Sequence, residues 1–137
     1  MSQNAGKQEN LRFDGVKFYS VHFDILGKPK ENVDINLDII PKVLFHSDTK
    51  FDIIYDVDLM IPDVFKLNLR SVGYFELSQE ILENPNIKEQ LINTNAPAIV
   101  FPYIRSFISM FTANLGTIPS LTIPTQFFKG KLEEFNE

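Results

Sequence analysis

The sequence predicts an α+β domain in which a four-stranded antiparallel sheet carries a long helix and a shorter C-terminal helix on one face. Three observations lead to that class. Apolar and polar residues alternate at a period of two through the first half of the chain, the mark of strands with one wet face. After residue 95 the apolar spacing changes to three and four in one long run, which is helical. Pro and Gly fall at the joints between runs, where they act as turns and stops.

Residues 1–11 are polar and without period, and are expected to form a disordered arm ahead of a single domain spanning 12–137. Within Lys17 to Leu26 the positions Tyr19, Val21, Phe23 and Ile25 alternate with Ser20, His22 and Asp24, predicting a first strand. Gly27, Lys28, Pro29 and Lys30 then read as a turn. A second strand is predicted over Val33 to Ile39, with Asp34, Asn36 and Asp38 on its wet side. Phe51 to Ile61 repeats the pattern against Asp52, Asp56 and Asp58, and Pro62-Asp63 turns the chain. A fourth strand from Phe65 to Leu77 places Phe65, Leu67, Leu69, Phe75 and Leu77 opposite Lys66, Asn68, Arg70 and Glu76. Gly73 inside it predicts a bulge or a close backbone approach. Short turns between successive strands suggest a meander, with Lys66 and Arg70 across from the acidic positions.

Ser78 is a candidate N-cap for a short helical turn that Asn84-Pro85-Asn86 interrupts. The run Ala98 to Leu121, AIVFPYIRSFISMFTANLGTIPSL, is the most apolar part of the chain. Phe101, Ile104, Ile108, Phe111 and Leu115 form one stripe, and Val100, Tyr103, Phe107 and Met110 form a second beside it. Arg105, Ser109 and Thr112 are left as a narrow polar ridge. A helix covering one sheet face needs an apolar arc of roughly 100°, and this one has about twice that. The Phe-Pro-Tyr at 101–103 reads as a helix entry, and Gly116 to Pro119 as its stop. An extended crossing follows, and a second helix is expected from about Pro124.

Composition narrows the function. The chain has 137 residues with 18 acidic and 13 basic, a formal charge of -5. That balance argues against nucleic acid as a partner, because such binding depends on a basic face. Cys is absent, so neither a disulfide framework nor a thiolate zinc site is available. The N-terminus MSQNAGKQENLR has no apolar core of the signal-peptide kind. No stretch reaches the roughly 18 uninterrupted apolar residues of a membrane span; a cytoplasmic location without membrane insertion is the expectation.

Catalytic, metal and cofactor chemistry is not expected. His22 falls on a strand face and His46 in a loop, and neither belongs to a nucleophile or acid-base pattern. Asp34-x-Asn36-x-Asp38 resembles the start of a calcium loop, but the later Gly and Glu positions of that loop are unfilled. Strand alternation explains the spacing. What remains is surplus apolar surface. It suits self-association, as closed oligomers require, or the capture of apolar segments by adaptable Phe, Tyr and Met contacts.

Asn95 to Phe128 resembles the helical segment of the SecB export chaperones. The likeness rests on Pro97 to Arg105, then Gly116 to Leu121, then Pro124 to Phe127, in that family's order and spacing. Val21 to Asp24 and Gly73 to Phe75 are similar to its first strand and to the end of its fourth. The resemblance implies an ATP-independent holdase in protein export and translocation, a homotetramer built as a dimer of dimers, whose clients are unfolded or precursor polypeptides held in apolar grooves. It implies client or inter-dimer contacts at Phe101, Tyr103, Phe107 and Phe111, and an oligomer interface at Leu67, Leu69, Ser71, Ile104 and Ile108. Asp24 keeps a carboxylate where the family docks the SecA motor, whereas Ser20, Lys66 and Asn68 depart from that pattern. The loop Gly27 to Asn32 is short and lacks groove aromatics. A SecB-like chaperone serving a toxin-antitoxin pair is the alternative that these departures raise, and a structural scaffold without clients is another.

Overall fold

The computed structural model describes residues 10–28, 34–116, 118–126 and 130–136. The strands are β1 (Leu11–Ile25), β2 (Asn36–Phe45), β3 (Lys50–Ile61), β4 (Phe65–Leu77) and a two-residue β5 (Glu133–Glu134). Their order in the sheet is β1-β4-β3-β2-β5. The four long strands pair antiparallel, and β5 adds parallel to β2. The expected meander is therefore corrected: β1 lies beside β4, and the chain passes both central strands to reach β2. The expected arm lies outside the described residues up to residue 9, and at its end Leu11 already pairs with Leu77.

β3 and β4 follow the alternation read from the sequence. Phe51, Ile53, Tyr55, Val57, Leu59 and Ile61 are buried on one face, together with Phe65, Leu67, Leu69, Ser71, Phe75 and Leu77. β1 departs from its expected parity. Its register against β4 shifts between Phe13 and Val16 and again between Tyr19 and His22. Each shift inserts one extra residue, and a slip of one turns every following side chain to the other face. Gly15 and Ser20, at positive φ of 109° and 49°, sit in the two bulges. The inward row on β1 thus includes Phe13, Val16, Phe18, Phe23 and Ile25, while Tyr19 turns to the outer face and its hydroxyl meets that of Tyr74 at 2.8 Å.

β2 runs six residues beyond its predicted end at Ile39. Pro41 hid the continuation, yet proline is tolerated on a strand with an open side. The outer face is acidic as expected and partly neutralised. Arg70 grips Asp56 through two hydrogen bonds of 2.7 and 3.0 Å, and Asn68 donates to Asp58. Lys66 instead stands across from Asp24 and Met60.

A 3₁₀ turn at Gln79–Glu83 leads into α1 (Pro85–Gln90), one π turn (Leu91–Asn95) and α2 (Ala96–Leu115), which ends at Gly116 in the left-handed conformation. Pro102 lies inside α2, so Phe-Pro-Tyr is not its entry. The helix tolerates it because Pro102 is exposed, where water can satisfy the carbonyl its ring leaves unbonded. By length and composition the helical stretch Pro85–Leu115 would suffice to cross a membrane. Here its apolar side packs on the sheet: Val100, Ile104 and Ile108 are fully buried.

Gly73 shows a close approach, with the bulge on the partner strand. A Cβ there would stand less than 3.0 Å from Val100 Cγ2, nearer than real Cβ atoms come. Tyr55 locks the same contact by donating its hydroxyl to the Pro97 carbonyl at 2.7 Å. The polar ridge is bound by the chain's own extended crossing. Arg105 Nε donates to the Ile123 carbonyl at 2.8 Å and Ser109 to that of Leu121 at 3.0 Å, while the Leu121 amide donates to Thr112 Oγ1 at 2.8 Å. These bonds fasten the extended crossing 118–126 along the helix and bury Ile118 and Ile123. The helix expected from Pro124 is absent among the described residues: 124–126 are extended, Phe127 and Phe128 lie outside the description, and Glu133–Glu134 form a strand.

Candidate functional site

The two bulges in β1 bring every fifth residue, Phe13, Phe18 and Phe23, to the inner face, and α2 presents Tyr103, Phe107 and Phe111 at helical spacing above them. The two rows meet rung by rung. Phe13 and Tyr103 have ring centroids 5.5 Å apart. Phe18 stacks on Phe107 at 4.4 Å, and Phe23 meets Phe111 edge-on at 4.9 Å. Phe107 and Phe111 also stack at 5.7 Å. Below, Phe13 touches Phe75 at 5.2 Å, which stacks on Phe51 at 5.3 Å, joining the ladder to the core. Each such pair adds about 0.5–1.5 kcal/mol beyond simple burial.

The ladder is half open. Tyr103 is 47% exposed and Phe23 43%, whereas Phe18, Phe107 and Phe111 are partly buried. Ile25 and Leu26 continue the exposed apolar surface beyond Phe23, and Met110 stands 66% exposed on the helix. An apolar strip therefore runs along the margin between α2 and the edge strand β1. Nothing in the strip is charged, so its contacts are set by shape and apolar area. Edge position matters too, because among the described residues only β4 pairs with β1, leaving its other side open to an extended chain.

Of the client-contact residues inferred from the sequence, Tyr103, Phe107 and Phe111 lie in this strip. Phe101 does not: it is 4% exposed and belongs to the core, because it falls on the helix side facing the sheet. Leu67, Leu69, Ser71, Ile104 and Ile108 face inward as their parity and spacing indicated, at 0–3% exposure. The chain's own helix and sheet already cover them, so they support the contact between α2 and the sheet. Asp24 is exposed on the outer face in register with Lys66.

The sequence reading did not pick out Phe13 or Phe18, since both bulges were invisible to a strict period of two. It also missed Asn93, buried between α1 and the C-terminal segment. Its amide donates to the Glu89 carbonyl at 2.9 Å and accepts from the Leu132 amide at 2.9 Å. Among the described residues, no group of three or more His, Asp or Glu could hold a metal. His46 pairs with Asp52 at 2.8 Å, and His22 is exposed on β1.

No protein-family model matches the chain. The uncharacterized protein MJ0357 of Methanocaldococcus jannaschii is 26% identical over 137 residues, spanning 93% of this chain and 85% of its own length. Among solved structures, the Mycobacterium tuberculosis Rv1957 SecB-like chaperone, in complex with a ChAD peptide from the Rv1956 HigA1 antitoxin, matches with a TM-score of 0.68. That match covers 89% of this chain and 94% of the other at 18% sequence identity. The fold is SecB-like, with one long helix on an open mixed sheet of five strands.

Proposed function

We propose that this chain, with its SecB-like fold, is an ATP-independent holdase that grips extended apolar segments of unfolded or precursor polypeptides along the strip between β1 and α2. The observation that carries the reading is the half-exposed aromatic ladder of Phe13, Phe18, Phe23, Tyr103, Phe107 and Phe111. Its rings are pre-ordered by one another, so binding orders little of the protein itself and the cost of association falls. Aromatic faces accept varied apolar partners, which suits clients of many sequences.

The likeness in fold to a chaperone bound to an antitoxin peptide supports a toxin-antitoxin role ahead of general export. The outer face agrees with that preference: Asp24 stands opposite Lys66, and Asp56 and Asp58 are engaged by Arg70 and Asn68. A motor that docks on carboxylates would have to compete with Arg70 and Asn68 for Asp56 and Asp58. The reading extends to a cytoplasmic, non-catalytic homotetramer, in which the exposed helix face around Ala98, Pro102, Ser106 and Met110 packs against other subunits.

The test is aggregation of a chemically denatured client followed by light scattering, without nucleotide. Stoichiometric chain is expected to suppress scattering, and a variant with Phe23→Ser and Tyr103→Ser to lose most of that suppression while keeping its circular dichroism. Unchanged scattering with the unmodified chain would remove the holdase reading.

A further inference from the structure

The far edge of the sheet, away from the aromatic strip, holds the chain's own C-terminal segment. Glu133 and Glu134 pair in parallel with Lys42 and Val43, and the Phe135 amide donates to the Val43 carbonyl at 2.8 Å. The ring of Phe135 lies under the Arg70 guanidinium at 5.0 Å, on the outer face. The Leu132 amide is held by Asn93. Leu-Glu-Glu-Phe is thus seated as an extended peptide, with backbone pairing for register, Lys42 beside Glu133 and a cation over the aromatic ring.

The seat is a weak one. The ladder is two residues long, Glu133 and Glu134 are exposed, and Leu132 and Phe135 are only half buried. β2 spans Asn36–Phe45, and among the described residues its outer side is paired only at Lys42 and Val43. A longer strand would form several more backbone hydrogen bonds there than the tail does, and open edges favour such addition. Lys42 and Arg70 supply the charge that selects its side chains, Arg–aromatic contacts contributing to recognition.

We infer that the β2 edge, with Lys42 and Arg70, is a second docking site for an extended partner segment carrying acidic residues followed by an aromatic, and that residues 131–136 close it at rest. A tethered tail competes at an effective concentration on the order of millimolar, so a free peptide of micromolar affinity is largely excluded until the tail lifts.

The test uses the full chain and a fluorescein-labelled Lys-Leu-Glu-Glu-Phe-Asn peptide, read by anisotropy. Phe135→Ala is expected to tighten peptide binding about tenfold or more by releasing the tail, and Lys42→Glu placed in that variant to abolish it. A peptide whose Phe is replaced by Ala is expected not to bind. Equal binding by the unmodified chain and Phe135→Ala, or binding by neither, overturns the inference. So does binding that survives Lys42→Glu and is lost with Tyr103→Ser, which would place the peptide on the aromatic strip. These results are independent of light scattering and leave the holdase reading to its own test.

Discussion

Replacing Gly73 by Ala probes the contact that sets the height of the helix above the sheet. The added Cβ would stand less than 3.0 Å from Val100 Cγ2 and 3.3 Å from Phe75 Cε1, where carbon atoms normally rest about 3.5–4.0 Å apart. Val100 is fully buried and, as a β-branched helical residue, has one strongly preferred rotamer. The valine methyl cannot simply swing aside, so the helix must lift. Overpacking of this kind costs about 1–3 kcal/mol, offset by about 0.4–1 kcal/mol because Ala restricts the unfolded chain. A net loss of about 1–2 kcal/mol is expected. Val100→Ala alone removes two methyl groups, at about 0.8 kcal/mol each before any cavity term. In the double variant the methyl introduced at position 73 enters the space that Val100 vacates, so the combined loss should fall short of the sum by about 1 kcal/mol or more. Urea unfolding of the three variants, at one protein concentration so that assembly does not shift the midpoints, measures this directly. Losses that add to within about 0.5 kcal/mol would show that the two residues do not touch, and would refute the close approach.

Five further outcomes follow from individual contacts. Tyr55→Phe should cost about 1–2 kcal/mol by leaving the Pro97 carbonyl without its buried donor, seen as a lower urea midpoint. Burial also raises the Tyr55 pKa well above its ordinary value of 10.0. The unfolded chain therefore loses that proton above about pH 10 while the folded chain keeps it, and stability should fall with rising pH by about 1.4 kcal/mol per unit from this residue. Tyr55→Phe should flatten the alkaline limb by that slope; an unchanged slope would contradict it. Ser71→Ala should stabilise by about 1 kcal/mol, because the buried Ser71 Oγ has no hydrogen-bond partner among the described residues; a lower melting temperature would count against this. Leu69→Asp should unfold the chain, since an unpaired carboxylate would sit where exposure is 3%, and a native circular dichroism spectrum would disprove the inward assignment. Arg105→Ala should free the crossing from the helix and speed proteolysis within 118–126, with cleavage at the unmodified rate arguing against the anchor.

The sequence carried the strands well where two faces met contrasting surroundings. β3 and β4 are central, and their period of two survives except at Asp52, expected to be wet, and at Ile54 and Val72, which are buried on the outer side. β1 was misread because Gly15 and Ser20 each add a residue without breaking the apolar pattern: Tyr19, Val21 and Phe23 alternate as neatly as Phe13, Phe18 and Phe23 recur. Strand order was hidden for a different reason, since alternation fixes which face is wet but not which neighbour pairs. The doubled apolar stripe of the helix was legible, and half of the candidate site with it. What the polar ridge holds was not, because the crossing binds through main-chain carbonyls of Leu121 and Ile123, groups every residue possesses. Arg105 and Ser109, read as a narrow polar ridge, are anchors for the crossing.

The location of bound client tests the aromatic strip most directly. A photo-crosslinking phenylalanine placed at Tyr103 on the strip, and in a separate variant at Ile40 on the outer face, compares two sites of similar exposure, 47% and 43%. With an unfolded, labelled polypeptide and no nucleotide, a strong crosslink is expected from position 103, lost when unlabelled client competes, and little from position 40. Crosslinking from position 40 alone, or equally from both, would contradict the aromatic strip as the client site.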